Sequence, residues 1–203
     1  MIARRPYRLK KRAQRAEETR RRIVEATLAL HAESGIAAVG VRDIAEKAAV
    51  GIGTVYHHFP TYDDVIRGCA EHVQAVTQPP DAAIFDGTDG LEGRLRVLVR
   101  ELFAYYARYH WFGRTRCDRD RMPLVELIVS RREQYIEKLV REALKPIDAD
   151  DRLVAMVVAL TDFGVYESLA RRSVPETDAG AAVAEILLTG LAAYRCNAHE
   201  QPR

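Results

Sequence analysis

The sequence has few cysteines and no segment that predicts a membrane span. Its three cysteines, Cys69, Cys117 and Cys196, are far apart, which excludes a disulfide framework and a cysteine-rich metal cluster. We interpret them as reduced thiols. No apolar run approaches the ~20 residues that a transmembrane helix needs, and the N-terminus lacks the apolar region of a signal peptide. We therefore expect a cytoplasmic protein without a membrane partner.

Motifs that would indicate an enzyme are also absent. The sequence has no glycine-rich phosphate loop, no nucleophile elbow, no CxxC pair and no HExxH motif. His57 and His58 are adjacent, but neighbouring residues on a helix point about 100° apart. No carboxylate or thiol is spaced to complete a metal site around them. We therefore predict no catalytic residue, no metal site and no cofactor.

Charge is unevenly distributed along the chain. Residues 1–22 hold ten Lys/Arg and two Asp/Glu, a net charge of +8, whereas the remainder has a net charge of −6. A basic segment on a mildly acidic body predicts contact with a polyanion at one end of the protein. Residues 1–12 lack the apolar stripe of a membrane-surface helix. We expect residues 1–14 to form a disordered basic arm; a solubilising tail is the alternative.

Apolar residues recur at helical spacing along nearly the whole chain, and no stretch shows the alternation of a strand. The first helix contains Ile23 and Leu30 and stops at Gly35, and Thr61 is the expected N-cap of the fourth. Pro79 and Pro80 end the fourth helix. The remaining predicted helices cover about 41–48, the residues up to Phe59, 91–110, 123–144, 149–172 and 177–196. The predicted fold class is all-α.

The segment 41–59 has the pattern of a helix-turn-helix. Small apolar residues such as Ala45 and Ala48 let a second helix approach closely, Val50 fills the turn, and Val55 and Phe59 face the core. Short, polar and aromatic groups then remain for the outer face of the third helix, where they suit base edges and phosphates in a major groove. These are Ile52, Gly53, Thr54, Tyr56 and His57, and Arg42 on the second helix can reach a phosphate or a guanine.

This segment resembles the TetR family of bacterial repressors, whose pattern is roughly R-D-I-A-x-x-A-G-V-S-x-G-T-x-Y-x-H-F followed by a lysine and a leucine. The matching residues are Arg42, Asp43, Ile44, Ala45, Ala48, Val50, Gly53, Thr54, Tyr56, His58 and Phe59. The resemblance covers about residues 19–66. It implies a three-helix DNA-binding domain (15–62) joined to a helical-bundle ligand-binding and dimerisation domain (63–203), with 63–77 as the connecting helix.

The resemblance also implies a function. We expect a sequence-specific repressor that binds a pseudo-palindromic double-stranded DNA operator as a homodimer and is released by a small-molecule effector. An activator on the same fold and a nonspecific architectural DNA-binding protein are the alternatives. By resemblance, Tyr56 touches a phosphate, Gly53, Thr54 and His57 read bases, and Thr19 is a further phosphate contact. His58 packs within the domain.

Three residues depart from the family pattern. Ala49 replaces the turn glycine, and Gly51 replaces the serine or threonine that caps the recognition helix. Tyr62 replaces a lysine that contacts the DNA backbone in family members. We expect the Tyr62 hydroxyl to serve as the phosphate contact instead, with the basic arm compensating for the missing charge.

The second domain carries weaker signals. We expect Phe103, Tyr106, Trp111 and Phe112 to line the effector pocket, because aromatic side chains can surround and orient a small ligand; an ordinary core is the alternative. Thr161 and Asp162 are polar residues within an apolar helix and are assigned to the effector or to a hydrogen bond across the dimer. Residues 149–172 and 177–196 are the predicted dimerisation helices. The segment 114–121, rich in Arg and Asp, is expected to be a solvated loop.

Overall fold

The computed structural model describes the backbone of residues 4–108 and 116–199, and every regular element in this part of the chain is helical. The α-helices are α1 (Arg4–Ser34), α2 (Val41–Lys47), α3 (Ile52–His58), α4 (Tyr62–Thr77), α5 (Leu91–Arg108), α6 (Pro123–Leu144), α7 (Asp151–Leu160), α8 (Phe163–Ala170) and α9 (Glu176–His199), with one 3-10 turn at Ala82–Phe85. The all-α prediction is confirmed.

The described chain divides into two compact units. The first holds residues 4–76 together with 116–128, and the second holds 77–108 together with 129–199. This differs from the predicted boundary after residue 62. The reason is that α4 buries Val65 and Cys69 in the apolar core of the first unit.

The core of the first unit is built from α1, α2, α3 and α4. Ile23, Ile44 and Val55 are fully buried there, one from each of the first three helices. Burial of an aliphatic side chain of this size contributes about 1.5–3 kcal/mol. Ala45 and Ala48 are also buried, and their small size allows the close approach of α2 that the sequence pattern predicts.

The predicted ends of two helices are confirmed. Gly35 follows the last residue of α1 with φ +84°, and its N–H donates to the His31 carbonyl at 2.9 Å. At the start of α4, the Asp64 N–H donates to Thr61 Oγ1 at 3.1 Å, and the Thr61 N–H donates to Asp64 Oδ2 at 3.0 Å. This reciprocal pair is a capping box. The Thr61 hydroxyl also donates to Asp64 Oδ2 at 2.7 Å, and this bond together with the one from the Thr61 N–H lowers the pKa of the Asp64 carboxyl.

The N-terminal arm differs from the prediction. The backbone of residues 4–14 belongs to α1 and is helical, although disorder is expected there from the sequence. Arg, Lys, Gln, Leu and Ala have high helix propensity. Because the second half of α1 is already fixed by its buried residues, extending it backwards needs no new helix nucleus. Residues 10–18 are exposed, so the basic side chains in this range extend into solvent.

The predicted helix over 149–172 is wrong in one respect, because it is interrupted between α7 and α8. The Asp162 carboxylate accepts a hydrogen bond from the Gly164 N–H at 2.7 Å and caps α8. Thr161 is fully buried, and its hydroxyl donates to the Val157 carbonyl at 2.8 Å. An aspartate cap starts a new helix here because its side chain satisfies an N–H that would otherwise bond within a continuous helix.

Among the described residues, Asp151–Ala170 is long and apolar enough, by length and composition, to cross a membrane. The sequence expectation that no such stretch exists is corrected on this point. The interruption at Asp162 divides the stretch into two short helices. Leu153, Val157 and Phe163 bury one side of it in the core of the second unit, which is typical of core helices.

Candidate nucleic-acid interface

The exposed face of α3 gathers four of the predicted DNA-contacting residues. Ile52 is 42% exposed and Tyr56 is 49% exposed, and Gly53 and His57 are exposed beside them. Positions separated by one, four and five residues share a helix face, while Val55 on the opposite side is fully buried. Thr54 is half-buried at the edge of this face. The helix therefore presents a short apolar and aromatic surface to solvent.

Gly53 leaves open space on this surface. A Cβ atom built at Gly53 has no neighbour within 4 Å, so the glycine is not required by packing within the unit. A backbone without a side chain allows another molecule to approach closely. This geometry fits the predicted role of Gly53 in contacting DNA.

Helix α2 contributes one exposed basic side chain and one carboxylate that caps its own N-terminus. Arg42 is exposed at the second position of α2. Its neighbour Asp43 accepts a hydrogen bond from the Gly40 N–H at 2.8 Å and so stabilises the start of α2. In the sequence, Asp43 is notable only as part of the family pattern, and the structure shows that its carboxylate caps the N-terminus of α2.

The turn between α2 and α3 begins with two backbone hydrogen bonds, in which the Ala49 N–H donates to the Glu46 carbonyl at 3.0 Å and the Val50 N–H donates to the Ala45 carbonyl at 2.9 Å. Ala49 has φ +51°, in the left-handed region that glycine adopts more easily, at a cost of roughly 1–2 kcal/mol for a residue with a Cβ atom. Gly51 is the N-cap of α3 and makes no side-chain cap hydrogen bond. Val50 is half-buried against the core of the first unit, as predicted. Tertiary packing by Val50, Val55 and Phe59 must therefore hold α3 in place.

Tyr62 is half-buried, and its hydroxyl has partners within the first unit, so the phosphate contact expected there stays a prediction. Its hydroxyl donates to the Ile36 carbonyl at 2.8 Å and lies 3.0 Å from His31 Nε2. Because the hydroxyl has a single proton, His31 Nε2 must be the donor in the second bond. The lysine of the family pattern is thus replaced by a residue that joins α4 to the end of α1.

Thr19 also has a local partner. Its hydroxyl donates to the Arg15 carbonyl within α1 at 2.9 Å, and the residue is half-buried. This bond leaves the oxygen lone pairs able to accept but commits the proton. The phosphate contact predicted for Thr19 stays a prediction.

His31 is buried in its neutral form. Burial lowers the pKa of His31 to about 4, although the nearby Asp118 carboxylate acts in the opposite direction. Burial also raises the pKa of the Tyr62 hydroxyl above its ordinary value. Both groups therefore stay neutral at pH 7, which suits the hydrogen bonds that they make.

Asp118 completes the turn between α1 and α2. Its Oδ2 atom accepts hydrogen bonds from the Ile36 N–H at 2.7 Å and the Ala37 N–H at 3.1 Å, and the residue is buried. The prediction that 114–121 is a solvated loop is therefore wrong for Asp118. No sequence pattern could identify this contact, because it joins positions 82 and 81 residues apart.

The C-terminal end of α3 packs closely on α4. A Cβ atom at Gly68 would lie 2.7 Å from Phe59 Cε1, so glycine is needed at this point of α4. The Arg20 guanidinium lies 4.9 Å from the centre of the Phe59 ring and 3.5 Å from the Glu71 carboxylate. Phe59 is 2% exposed, and it therefore links α1, α3 and α4.

The histidine pair does not have the surroundings of a metal site. The His57 and His58 rings meet edge to face with centres 5.4 Å apart. Burial and the neighbouring His57 and Arg20 lower the pKa of His58. Within 4–108 and 116–199, no group of three His, Cys, Asp or Glu residues could hold a metal ion.

The predicted effector residues are found only in part. Phe103 and Tyr106 are buried, with ring centres 5.5 Å and 5.9 Å from Tyr166, and Phe163 lies 5.5 Å from Tyr106. This packing favours the alternative of an aromatic core, to which α8 contributes two rings that sequence reasoning missed. Thr161 and Asp162 make the helix-capping bonds described above. The predicted residues Trp111 and Phe112 lie outside the described residues.

Comparison with known proteins identifies the N-terminal segment. Residues 23–68 match the family model described as bacterial regulatory proteins, tetR family. The chain is 49% identical over 45 residues to the HTH-type transcriptional repressor KstR of Rhodococcus jostii, which covers 22% of this chain and 21% of KstR. It is 37% identical over 101 residues to the repressor LfrR of Mycolicibacterium smegmatis, covering 44% of this chain and 51% of LfrR. These matches reach at most about half the length of the curated relatives.

Solved structures share the fold over most of the chain. A putative fatty acid metabolism regulator of Clostridium perfringens superposes with a TM-score of 0.67 at 19% identity, covering 83% of this chain and 97% of that one. FadR from Bacillus subtilis, in complex with stearoyl-CoA, gives a TM-score of 0.61 at 17% identity and covers 83% and 97%. The first three helices and the exposed face of α3 define a helix-turn-helix DNA-binding domain. Over residues 23–68, the chain is similar to the tetR family of bacterial regulatory proteins.

The neutral burial of His31 predicts a pH-dependent stability. In the unfolded chain His31 takes up a proton near its ordinary pKa of 6.5, whereas in the folded state it does so only near pH 4. Acid therefore favours the unfolded state, and stability is lost as the pH falls between these values, by about 3 kcal/mol in total.

The change His31→Gln keeps an N–H for Tyr62 but cannot titrate. Urea unfolding followed by circular dichroism at several pH values should show a steeper loss of stability below pH 6.5 for the wild-type protein than for this variant. Parallel pH profiles would exclude a neutral buried His31.

Proposed function

We propose that this chain is a sequence-specific DNA-binding repressor that acts in the bacterial cytoplasm as a homodimer and is released by a small-molecule effector. The observation that carries the proposal is the exposed face of α3. It combines an open glycine, Gly53, with the half-exposed side chains of Ile52 and Tyr56 on a helix whose other side is fully buried. Such a face has no evident role in the stability of the unit.

The chemistry of this face suits a major groove. Ile52 offers an apolar contact for thymine methyl groups, and His57 offers ring nitrogens for base edges. Tyr56 carries a phenolic hydroxyl suited to a phosphate oxygen, and Arg42 supplies a positive charge on the adjacent helix. In a dimeric regulator of this kind, the recognition helix of each protomer contacts one half-site of the operator.

Selection of bound fragments from the host genome tests this function. The wild-type protein should enrich a pseudo-palindromic sequence and bind it at least about 10³-fold more tightly than random DNA. An architectural protein would bind both with nearly equal affinity. Transcription from a promoter containing the selected site then distinguishes a repressor from an activator.

The change Gly53→Ala separates DNA contact from folding. An added methyl group meets no atom of the unit, so the thermal midpoint should stay the same or rise, because alanine favours a helix. Operator affinity, measured by fluorescence anisotropy, should fall by about tenfold, since overpacking a close interface costs about 1–3 kcal/mol.

Gly68→Ala is the matched control for this substitution. Its methyl group would lie 2.7 Å from Phe59 Cε1, so it should lower the thermal midpoint, whereas Gly53→Ala should not. If Gly53→Ala bound the selected operator as tightly as the wild type, α3 would not approach DNA through Gly53.

The basic residues before Thr19 form a second part of the proposed interface. Residues 1–14 contain six Lys/Arg and no acidic residue, and residues 10–14 are exposed along α1. Phosphate contacts from such a segment add affinity that carries little sequence information. We infer that this segment contacts phosphates that flank the bases read by α3.

Removal of residues 1–14 should therefore weaken binding to selected and random DNA alike. The slope of log affinity against log salt concentration should become shallower by about 0.9 for each phosphate that the shortened protein no longer neutralises. Removal of residues 1–3, which carry no charged side chain, is the control. An unchanged affinity and an unchanged salt slope would show that the segment does not contact DNA.

The proposed dimer uses α7 and α9. Met156 on α7 is 47% exposed and Ile186 on α9 is 58% exposed, so both apolar side chains are available at the surface of the protomer. Small exposed residues surround them in the sequence, and these are Ala155, Ala159, Ala182 and Gly190. A surface of this composition allows two helices from each protomer to pack closely in a four-helix arrangement.

Ile186→Glu should convert the dimer to a monomer. The side chain is exposed in the protomer, so folding should be little affected, but two unpaired charges would be buried at a two-fold interface at a cost of about 3–5 kcal/mol each. Light scattering after size-exclusion chromatography measures the mass. Leu127→Glu, at an exposed apolar residue of α6, should remain dimeric. A monomeric wild type, or a dimeric Ile186→Glu, would contradict this interface.

The effector proposal rests on the second unit. One structural relative, FadR of Bacillus subtilis, was solved with stearoyl-CoA, and EbrR is described as a multidrug binding protein. The helices of the second unit around Phe103 and Tyr106 share the fold of these proteins. We propose that a small organic molecule binds in this unit and prefers the conformation with low operator affinity, which is the condition for release.

A further inference from the structure

The turn after α1 is held by a side chain from a distant part of the sequence, and this contact has a consequence for DNA binding. We propose that Asp118 is a positioning residue for operator binding, through which the first turn of α6 controls the placement of α2 and α3. The inference rests on the proposed function, since it concerns how the same DNA-binding surface is oriented.

Besides one bond within the turn, in which the Val39 N–H donates to the Ile36 carbonyl at 3.3 Å, side chains from other elements hold it. Ile36 uses both of its backbone polar groups there, because its N–H donates to Asp118 at 2.7 Å and its carbonyl accepts from Tyr62 at 2.8 Å. Ala37 donates to the same Asp118 oxygen at 3.1 Å. Only three residues separate Ala37 from the start of α2 at Val41. A displacement of this turn must therefore move α2, and α3 with it, because the two helices share one core.

The other side of the contact is fixed to α6. The carbonyl of Asp118 accepts from the N–H groups of Arg121 and Met122, both at 3.1 Å. Arg119 makes a two-pronged ion pair with Glu126, with distances of 2.7 Å and 3.0 Å. Glu126 lies in the first turn of α6, and a two-pronged guanidinium–carboxylate pair fixes orientation as well as distance. The first turn of α6 and the Asp118 carboxylate therefore move together.

Helix α6 has residues in both units. Residues 116–128 belong to the first unit, while α6 continues through residues 129–144 of the second. A helix transmits an axial or rotational shift along its length because its backbone hydrogen bonds are retained. Asp118 therefore joins the α1–α2 turn to the start of a helix whose later residues belong to the second unit.

The surroundings of the Asp118 carboxylate oppose its contact with the α1–α2 turn. Asp118 lies beside the C-terminal end of α1, where the partial negative charge of the helix opposes a carboxylate. Its Oδ2 atom is 3.0 Å from the position that a Cβ of Gly35 would occupy, so a side chain there would press on the carboxylate. The neutral His31 gives the carboxylate no cationic partner at this point of α1. Two backbone N–H groups hold the carboxylate against this opposing field, at 2.7 Å and 3.1 Å.

Three full-length variants test the proposal with the duplex selected by the wild-type protein. Asp118→Ala removes the acceptor, Asp118→Asn keeps the shape without the charge, and Asp120→Asn changes an exposed acid in the same segment. Operator affinity is measured well below each thermal midpoint, and hydrogen exchange is followed at Ile36 and Ala37. We expect Asp118→Ala to weaken binding by about tenfold, Asp118→Asn to weaken it less, and Asp120→Asn to match the wild type.

Half-site spacing provides the readout that a merely structural role would not change. Duplexes with one base pair inserted or removed between the half-sites should be rejected by the wild type and discriminated less by Asp118→Ala, because its α3 helices are less fixed in orientation. The salt slope should stay the same, since the variant keeps every basic residue that can neutralise a phosphate. An equal loss of affinity at every spacing would assign Asp118 to stability alone.

Other outcomes would overturn the proposal in different ways. Wild-type affinity for Asp118→Ala, or the same loss for Asp120→Asn, would show that the contact does not position the DNA-binding helices. Should Asp118→Ala fail to fold, Arg119→Gln, which removes the guanidinium that pairs with Glu126, must reproduce the loss of spacing discrimination. Wild-type discrimination in that variant would refute the route through α6. If the wild-type protein selects no sequence at all, the proposed function itself fails, while faster exchange at Ile36 and Ala37 in Asp118→Ala would still report the contact.

Discussion

The hydrogen bonds at Ile36 determine where the DNA-binding helices lie. A turn over residues 35–40 joins the long α1 to the short α2, and its backbone groups must be satisfied once they are buried. Asp118 satisfies the N–H groups of Ile36 and Ala37, and Tyr62 satisfies the Ile36 carbonyl. Each of these side chains comes from a different element, so the turn is defined only when α1, α4 and the segment before α6 are all in place.

This dependence explains why α3 can be short and weakly supported by its own sequence. A seven-residue helix is unstable alone, and α3 starts at an uncapped glycine after a strained alanine. Its stability comes from Val55 and Phe59, which face the core. The exposed residues of α3 therefore do not have to stabilise the fold. Under the proposed function, they can differ between proteins that bind different DNA sequences.

Much of the fold follows from local rules that the sequence displays. Apolar periodicity predicts the helices, Gly35 marks a stop, Thr61 marks a start, and Pro123 opens α6 at the residue where the structure begins it. The spacing of Val55 against Ile52 and Tyr56 predicts which side of α3 is exposed. These features could be predicted because each depends on residues within a few positions of one another.

The features that could not be predicted from the sequence depend on residues far apart in the chain, or on two local effects that favour different structures. Asp118 reads as a loop residue in an Arg- and Asp-rich segment, and nothing nearby reveals that Ile36 needs its carboxylate. Tyr62 occupies the position of a family lysine, and the expectation of a phosphate contact ignored the buried His31 that shares its hydroxyl. Asp162 lies in an apolar run whose periodicity predicts a continuous helix, yet its capping bond interrupts that helix.

The replacement of lysine by Tyr62 connects these points physically. A lysine at this position places a charge at the surface, where it contacts phosphate and leaves the Ile36 carbonyl to find another donor. A tyrosine instead reaches inward, since its ring tolerates burial and its hydroxyl can both donate and accept. The Tyr62 hydroxyl is thereby committed to the Ile36 carbonyl and to His31. Under the proposed function, phosphate contacts then fall to the basic residues in the first half of α1, of which Lys10, Lys11 and Arg12 are exposed.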